Sequence, residues 1–325
     1  MRFSDRIYGE FDIDQPALVD LLHTRAMQRL HGVLQHGITG LIGLTHPTSR
    51  FEHTLGVMWL VRHFGGTQSA QIAALLHDIS HTAFSHVIDY VVDNHDHQSY
   101  HEDNKAWFVA HSDVPAVLAR HHIDLEAVLH EEDYALLEQP APRLCADRLD
   151  YFLRDSVDLG LASLAQVRAA LDRLVVADGR IVTDDIATAR WLADTYIAAD
   201  QKSWANFREV GVYEVTARAI RTALNLGAIS EADFWLTDVE LWQKLHAIDQ
   251  ADLRRQLALI SPDTRFEWDE VAPTFRVGTK LRTIDPDVLI GGRLFTLSEL
   301  DADFARRRTD YLRANAGKWP MRVVA

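Results

Sequence analysis

The sequence contains little cysteine and no long apolar run. Cys145 is the single cysteine among 325 residues, so neither an intrachain disulfide nor a CxxC zinc site can form. No apolar stretch approaches the roughly 20 residues that a membrane-spanning helix needs. Residues 1–6 also lack the apolar core of a signal peptide. We therefore expect a cytoplasmic protein with no membrane partner.

Positive charge is also scarce. The chain carries 33 Lys and Arg residues against 47 Asp and Glu, for a net charge of −14. Without a basic surplus to neutralise phosphates, stable nucleic-acid binding is not expected. A small anionic substrate held by a few arginines and a metal ion remains compatible with this charge. The hydrophobic fraction of 47% fits a globular protein of about two domains, or of one large domain with an appendage.

Histidine is abundant, with 17 copies, and an informative group lies within residues 73–86. Leu75 and Leu76 belong to an apolar run with helical spacing, which His77 and Asp78 follow directly. On a helix these adjacent side chains point about 100° apart, yet both can reach one ion at the rim of a cleft. A neutral imidazole beside a carboxylate is a mixed nitrogen and oxygen donor set, which suits Mn, Fe, Ni or Zn.

Apolar periodicity predicts a mainly α-helical chain. The helices that matter most are expected at 16–34, from Arg50 to a stop at Gly65-Gly66, from the cap Thr67 to Asp78, and over 143–159. Later the pattern changes: a β-hairpin should turn at Asp178-Gly179, strands are expected at 275–283 and 293–297, and a helix at 298–314. We place a soft boundary near 165–183 and divide the chain into 1–165 and 166–325.

A polar stripe marks the helix predicted at 143–159. Asp147, Tyr151 and Asp155 are spaced at i, i+4 and i+8, so they share one face. Two carboxylates and a phenol are what a helix lining a binding site would present. A solvated face would show the same pattern and, for the stripe taken alone, is the favoured interpretation.

Candidate metal ligands stand on three separate predicted helices, namely His53, His77, Asp78 and Asp147. A helical bundle can converge such side chains on one ion, although spacing alone does not require it. A divalent ion would lower the pKa of bound water and polarise a phosphoryl oxygen. Arg50 and Arg148 could neutralise charge on phosphate, and a histidine oriented by a carboxylate could protonate a leaving oxygen.

The order His, His-Asp, Asp resembles the HD superfamily of metal-dependent phosphohydrolases. Four flanking segments narrow the resemblance to the deoxynucleoside triphosphate triphosphohydrolase branch, which includes dGTPases and the sterile-alpha-motif HD enzyme of mammals: 49–57, 75–86, His101-Glu102 and 146–155. The resemblance implies an HD-domain helical bundle with a metal site over 1–165. It implies a smaller C-terminal α+β extension over 166–325, mostly helical with a hairpin and a small β element.

The resemblance also assigns roles by position. It implies that the metal ligands are His53, His77, Asp78 and Asp147. It implies catalytic roles for Arg50, His81, His86 and His101, with Asp89 orienting His86. It places the substrate near Gln35, Arg50, Arg148, Tyr151 and Asp155, with a weaker match at Tyr213.

The implied reaction uses one divalent ion per site, with Mn, Fe, Ni, Zn and Mg all open. Metal-bound water would attack the α-phosphorus of a deoxynucleoside triphosphate and release the deoxynucleoside and triphosphate. Relatives assemble as homo-oligomers, so an oligomer is expected here. His23 and His31 occupy positions where regulated relatives use an aspartate and an arginine to bind an activating nucleotide, so this activation is not expected to transfer directly.

Other functions stay open at this point. The same site could serve a phosphatase or phosphodiesterase acting on a nucleoside monophosphate or another small phosphate ester. His81 and His101 could hold a second ion, as in a di-iron oxygenase, or the chain could be a non-catalytic nucleotide-binding module. Lys280 and Arg282 could contact a phosphate, but we favour edge-strand charge as their role. His36 is expected to be a loop or surface residue.

Overall fold

The computed structural model describes residues 1–324, which form a helical body with three small sheets. The helices of the first half are α1 (Pro16–Leu22), α2 (Arg25–Arg29), α3 (Gly37–Leu41), α4 (Arg50–His63), α5 (Gln68–Leu76), α6 (Val87–Val91), α7 (Tyr100–Asp103), α8 (Lys105–Ala110), α9 (Val114–Arg120), α10 (Glu126–Leu129) and α11 (Ala146–Asp158). Those of the second half are α12 (Leu164–Leu171), α13 (Ile186–Ala199), α14 (Phe207–Asn225), α15 (Asp238–His246), α16 (Ala251–Ala258), α17 (Leu297–Leu300) and α18 (Ala302–Asn315). The strands are β1 (Arg2–Asp5), β2 (Gly9–Asp12), β3 (Leu174–Ala177), β4 (Arg180–Thr183), β5 (Arg265–Trp268), β6 (Phe275–Val277), β7 (Asp287–Ile290), β8 (Arg293–Thr296) and β9 (Trp319–Val324).

Side-chain caps explain where the helices near the site begin. Ser49 and Glu52 form a reciprocal capping box at the start of α4, and the Thr67 hydroxyl accepts the Ala70 amide at the start of α5. Both predicted starts are confirmed. The single helix predicted at 16–34 is wrong, because the Thr24 side chain caps a new helix and divides the segment into α1 and α2.

The sheets are antiparallel apart from one contact. Strands β1 and β2 form an N-terminal hairpin, the order β3-β4-β7-β8 forms a second sheet, and the order β5-β9-β6 forms a third. The hairpin predicted to turn at Asp178-Gly179 is confirmed, and both turn residues adopt positive φ angles of 50° and 71°. The strand predicted at 275–283 ends at Val277, so residues 278–286 run without a pairing partner.

Two apolar clusters hold the elements together, and each takes residues from both sides of position 165. The first packs α1, α4, α5 and α11 against later residues such as Ile181 and Phe304. The second surrounds α14 and includes Ile38 and Phe84 from the first half. The division at 165 therefore stays a prediction. None of the helices within residues 1–324 combines the length and apolar character that crossing a bilayer requires.

Candidate active site

The four predicted metal ligands converge although they are spread over more than ninety positions. The His53 Nε2 atom lies 3.2 Å from His77 Nε2 and 3.0 Å from Asp147 Oδ1, and His77 Nε2 lies 3.5 Å from the same oxygen. Asp78 completes the set, with Oδ2 3.5 Å from His53 Nε2 and Oδ1 3.7 Å from His77 Nε2. His53 is contributed by α4, Asp147 by the first turn of α11, and His77-Asp78 by the chain just beyond α5.

The outer nitrogens of both imidazoles fix how the rings face this centre. His77 Nδ1 lies 2.7 Å from the Ala74 carbonyl oxygen, which can only accept, so Nδ1 carries a proton. His53 Nδ1 lies 2.8 Å from Asp150 Oδ2. When both rings are neutral, the form in which imidazole binds a metal, the two Nε2 atoms are acceptors that face each other and two carboxylates. A divalent cation would relieve this repulsion, and the supporting hydrogen bonds are those that metal-binding histidines commonly make.

Charges near the centre perturb several pKa values. Burial disfavours charged His53, but hydrogen bonds to Asp147 and Asp150 outweigh burial and raise the pKa of His53 to about 9. Burial also opposes ionisation of Asp78, yet Arg50 and then His77 hold the pKa of Asp78 well below its usual value. The carboxylates of the site thus stabilise positive charge at His53, which is the electrostatic preference expected of a cation site.

Arg50 is fixed in the same wall of the site. Its Nε donates to Ser85 Oγ at 2.8 Å, and its Nη1 donates to Asp78 Oδ2. The Ser85 hydroxyl in turn donates to the Leu34 carbonyl at 2.7 Å. This chain of contacts fixes the guanidinium beside the metal ligands, where it lines the central cavity.

A second group of ligand-type side chains adjoins the first. Asp78, His81 and His101 offer ligand atoms that all lie within 4.8 Å of one another. The two imidazole rings are stacked with centroids 3.7 Å apart, and their Nδ1 atoms are buried without a hydrogen-bond partner in residues 1–324. Burial lowers the pKa of His101 to about 3, so this ring is neutral and able to bind a metal.

His86 and Asp89 form the predicted pair at the start of α6. His86 Nδ1 lies 3.0 Å from Asp89 Oδ2, while Asp89 Oδ1 accepts the Tyr100 amide at 3.0 Å. Burial, followed by the charge of Arg50, holds the pKa of His86 well below its ordinary value. His86 lines the cavity and Asp89 lies behind it, so the carboxylate can orient the ring and leave Nε2 available.

A cavity of about 880 Å³ contains this chemistry, which is a volume suited to a nucleotide-sized ligand. It is lined by every predicted site residue except Asp89, including all the predicted substrate contacts: Gln35, Arg50, Arg148, Tyr151, Asp155 and Tyr213. The polar stripe on α11 therefore faces the cavity rather than bulk solvent. Arg148 already binds the Glu138 carboxylate at 2.7 Å, and the Tyr213 hydroxyl donates to the His36 carbonyl at 2.9 Å.

Sequence reasoning missed some contributors. Asp150 is completely buried behind His53, and its only sequence signal was its position four residues before Arg154 on an amphipathic helix. His36 is buried in the cavity wall rather than on the surface. Its Nε2 lies 3.0 Å from Asp155 Oδ1, and the Trp204 indole donates to Asp155 Oδ2 at 2.6 Å. Nothing local in the sequence distinguished His36 from other histidines.

Lys280 and Arg282 also line the cavity. The favoured explanation of edge-strand charge is wrong, because residues 278–286 form no strand. This segment comes from the C-terminal half, where the motifs gave no guidance.

Comparison with known proteins relates this chain to the HD domain family and to metal-dependent phosphohydrolases. The HD domain family matches residues 50–155 of this chain. The chain is 37% identical over 291 residues to the metal-dependent phosphohydrolase cns2 of Cordyceps militaris, covering 87% of this chain and 84% of that protein. It is also 36% identical over 104 residues to the deoxynucleoside triphosphate triphosphohydrolase SAMHD1 of Gallus gallus, but this match covers 27% of the chain and 16% of SAMHD1.

The fold has a close counterpart among solved structures. A phosphohydrolase from Bacteroides thetaiotaomicron superposes with a TM-score of 0.77 and covers 99% of both chains. Its sequence identity is 17%, so the likeness concerns the fold alone. The helical body and the C-terminal α+β part are therefore shared as one architecture.

Proposed function

Because the chain belongs to the HD-domain family of metal-dependent phosphohydrolases, we propose that its substrate is a deoxynucleoside triphosphate. The proposed reaction is hydrolysis at the α-phosphorus, which yields the deoxynucleoside and intact triphosphate. The observation that carries this proposal is the convergence of His53, His77, Asp78 and Asp147 beside Arg50 in a cavity of about 880 Å³. The partial similarity to SAMHD1 supports the choice of substrate.

The residues around the cavity suit distinct steps of that reaction. A divalent ion, when bound, supplies a more acidic water and Lewis-acid polarisation of a phosphoryl oxygen. Arg50 presents its guanidinium to the phosphate beside the metal ligands, where it stabilises developing negative charge. His86, oriented by Asp89, protonates the departing sugar oxygen once bound phosphate has raised its proton affinity.

The other end of the cavity suits the nucleoside. Tyr151 and Trp204 pack with ring centroids 5.1 Å apart and form an aromatic wall. Asp155 and His36 place a carboxylate and an imidazole in the same region, where they can bind sugar hydroxyls or base edges. Gln35 and Tyr213 line this region as well, in keeping with their expected contacts.

A product assay with purified protein tests the proposal. The protein is incubated with Mn²⁺ and each deoxynucleoside triphosphate, and the products are separated by ion-exchange chromatography. We expect deoxynucleoside and triphosphate in equal amounts, and neither product with the His77→Ala variant. Release of monophosphate and pyrophosphate, or no turnover of any triphosphate, would contradict the proposed reaction.

A second candidate is a two-ion phosphatase or phosphodiesterase acting on a smaller phosphate ester. The geometry of Asp78, His81 and His101 favours it, because Asp78 belongs to both ligand groups and could bridge two ions. Metal analysis distinguishes the candidates: two equivalents per chain, with one lost in His101→Ala, together with turnover of a nucleoside monophosphate, would favour this second function.

A further inference from the structure

The segment 279–283, here called the strap, brings two cations into the cavity from the C-terminal half. It carries Lys280 and Arg282, both of which line the cavity that contains the metal ligands. The strap lies outside the residues matched by the HD domain family, which end at 155. Its role is therefore not given by that family match.

Hydrogen bonds anchor the strap at Arg282 and at the next residue, Thr283. The Arg282 backbone amide donates to Asp200 Oδ2 at 2.9 Å, and Tyr311 donates to the same oxygen at 2.6 Å. The Arg308 Nε donates to Thr283 Oγ1 at 2.9 Å. These anchors hold the strap backbone through a carboxylate that does not contact the Arg282 guanidinium. Arg282 is thus held in place without a salt bridge to its guanidinium.

The two strap cations differ from other basic residues of the cavity. Arg50 pairs with Asp78, and Arg148 pairs with Glu138. Within residues 1–324, neither Lys280 nor Arg282 forms a salt bridge. Lys280 Nζ contacts only the His97 carbonyl at 3.2 Å, and the Arg282 guanidinium contacts the neutral Gln98 side chain and the Lys280 carbonyl. In a chain of net charge −14, two unpaired cations in one cavity indicate a place for an anion.

The charges of Lys280 and Arg282 also influence each other and the nearby His86. Partial desolvation by the cavity walls is the main cause of the lowered pKa of Lys280, and repulsion from Arg282 and Arg148 adds to it. Both strap cations contribute, after burial and Arg50, to the lowered pKa of His86. Like charges are therefore close enough to oppose one another, and a bound anion would relieve that repulsion.

We propose that the strap binds the phosphates of the substrate that lie beyond the one at the metal ligands. This inference rests on the proposed function and extends it, because it makes Lys280 and Arg282 the residues that select a polyphosphate over a monophosphate. The ligand class is a linear polyphosphate tail carrying several negative charges. A flexible ammonium and a planar guanidinium can bind adjacent phosphoryl groups through charged hydrogen bonds.

Calorimetric titration of the metal-free protein tests the strap without using catalysis. Inorganic triphosphate and inorganic phosphate are titrated into wild type, Lys280→Gln, Arg282→Gln and the double variant, all in excess chelator. Wild type should bind triphosphate more tightly than phosphate, and each substitution should weaken triphosphate binding by about tenfold. Arg276→Gln removes an exposed arginine outside the cavity, so it is the matched control and should bind as wild type does.

The result that overturns the inference is equal triphosphate affinity in wild type and the double variant. The Asp200 anchor uses the backbone of Arg282, so the substitution leaves it in place. Lys280 lines the cavity yet keeps a large solvent-exposed fraction, so Lys280→Gln is a test that replaces no fully buried side chain. Restored binding in Arg282→Lys, relative to Arg282→Gln, would support a charge contribution.

Turnover separates this inference from the proposed function. If wild type hydrolyses no deoxynucleoside triphosphate but loses triphosphate binding on Lys280→Gln, the proposed function fails and the strap assignment stands. If wild type hydrolyses the substrate and the double variant shows an unchanged KM, the function stands and the strap assignment fails. With both correct, the double variant raises KM for the triphosphate.

Discussion

Replacing Asp150 by asparagine tests how the structure prepares a metal ligand. Asp150 accepts hydrogen bonds from His53 Nδ1 at 2.8 Å, from the Tyr8 hydroxyl at 2.7 Å, and from Arg154 Nε at 2.8 Å. It is completely buried. Although burial opposes its ionisation, Arg154 and His53 keep the pKa of Asp150 below its usual value. The carboxylate therefore stays charged and holds the His53 ring in its metal-facing orientation.

Asparagine retains the shape but cannot satisfy the same donors. If its amide oxygen replaces Oδ2 and accepts from His53, its amide nitrogen faces the Tyr8 hydroxyl and Arg154 Nη2. The buried guanidinium of Arg154 then keeps only Asp5 as a carboxylate partner. We expect a stability loss of about 1–3 kcal/mol from this mismatch. Metal affinity should fall by about 10–100-fold, the usual effect of losing a group that supports a ligand.

The assay is a competition titration of Mn²⁺ against a chelator, followed by chemical denaturation of the metal-free protein. Asp172→Asn provides a control, since Asp172 is an exposed carboxylate outside the site. The control should match wild type in both measurements. An Asp150→Asn variant that binds metal with wild-type affinity would show that the His53 orientation does not depend on this carboxylate, and the reasoning would be refuted.

Three further predictions concern the surroundings of the site. Burial disfavours charge on His36, but Asp155 outweighs it and raises the pKa of His36 to about 8. The charged pair should therefore contribute about 2 kcal/mol of stability below about pH 6.5, and this contribution should be lost as the pH rises through 8. The difference in unfolding free energy between wild type and His36→Gln should shrink over that range in chemical denaturation. Gly56→Ala should lower the free energy of unfolding by about 1–3 kcal/mol, because the added Cβ would overlap Asp150 Oδ1 and an Arg154 nitrogen. An unchanged melting temperature would contradict this. Arg50→Lys keeps the positive charge but cannot maintain both of the Arg50 contacts, so kcat should fall about tenfold or more. A kcat equal to that of wild type would show that the planar guanidinium of Arg50 is not required.

Local patterns were sufficient for the parts of the site that lie in short, distinctive segments. His77 and Asp78 follow an apolar helix directly, and the Ser49 capping box marks the start of the helix that carries His53. Periodicity on α11 also placed Asp147 on a face that lines the cavity, although the stripe alone favoured a solvated face. These features depend on neighbours within a few residues, which is the range that sequence periodicity reports.

The missed features depend on contacts between distant segments. His36 meets Asp155 across 119 positions, and the Arg282 amide meets Asp200 across 82. The alternating residues of 275–283 predicted a long strand, but the chain leaves the sheet after Val277 and the strap lines the cavity instead. Tertiary contacts decide here whether an alternating segment forms a strand, and no local pattern in the sequence reports those contacts. The helix predicted at 16–34 failed for a local reason, the Thr24 cap, which the apolar pattern concealed.

Anomalous diffraction from crystals soaked in Mn²⁺ tests the central claim most directly. We predict a peak within coordination distance of His53 Nε2, His77 Nε2 and Asp147 Oδ1, with Asp78 adjacent. The peak should disappear in crystals of the His77→Ala variant. An anomalous peak located elsewhere in the protein, or none at a saturating Mn²⁺ concentration, would contradict the metal-dependent account of this site.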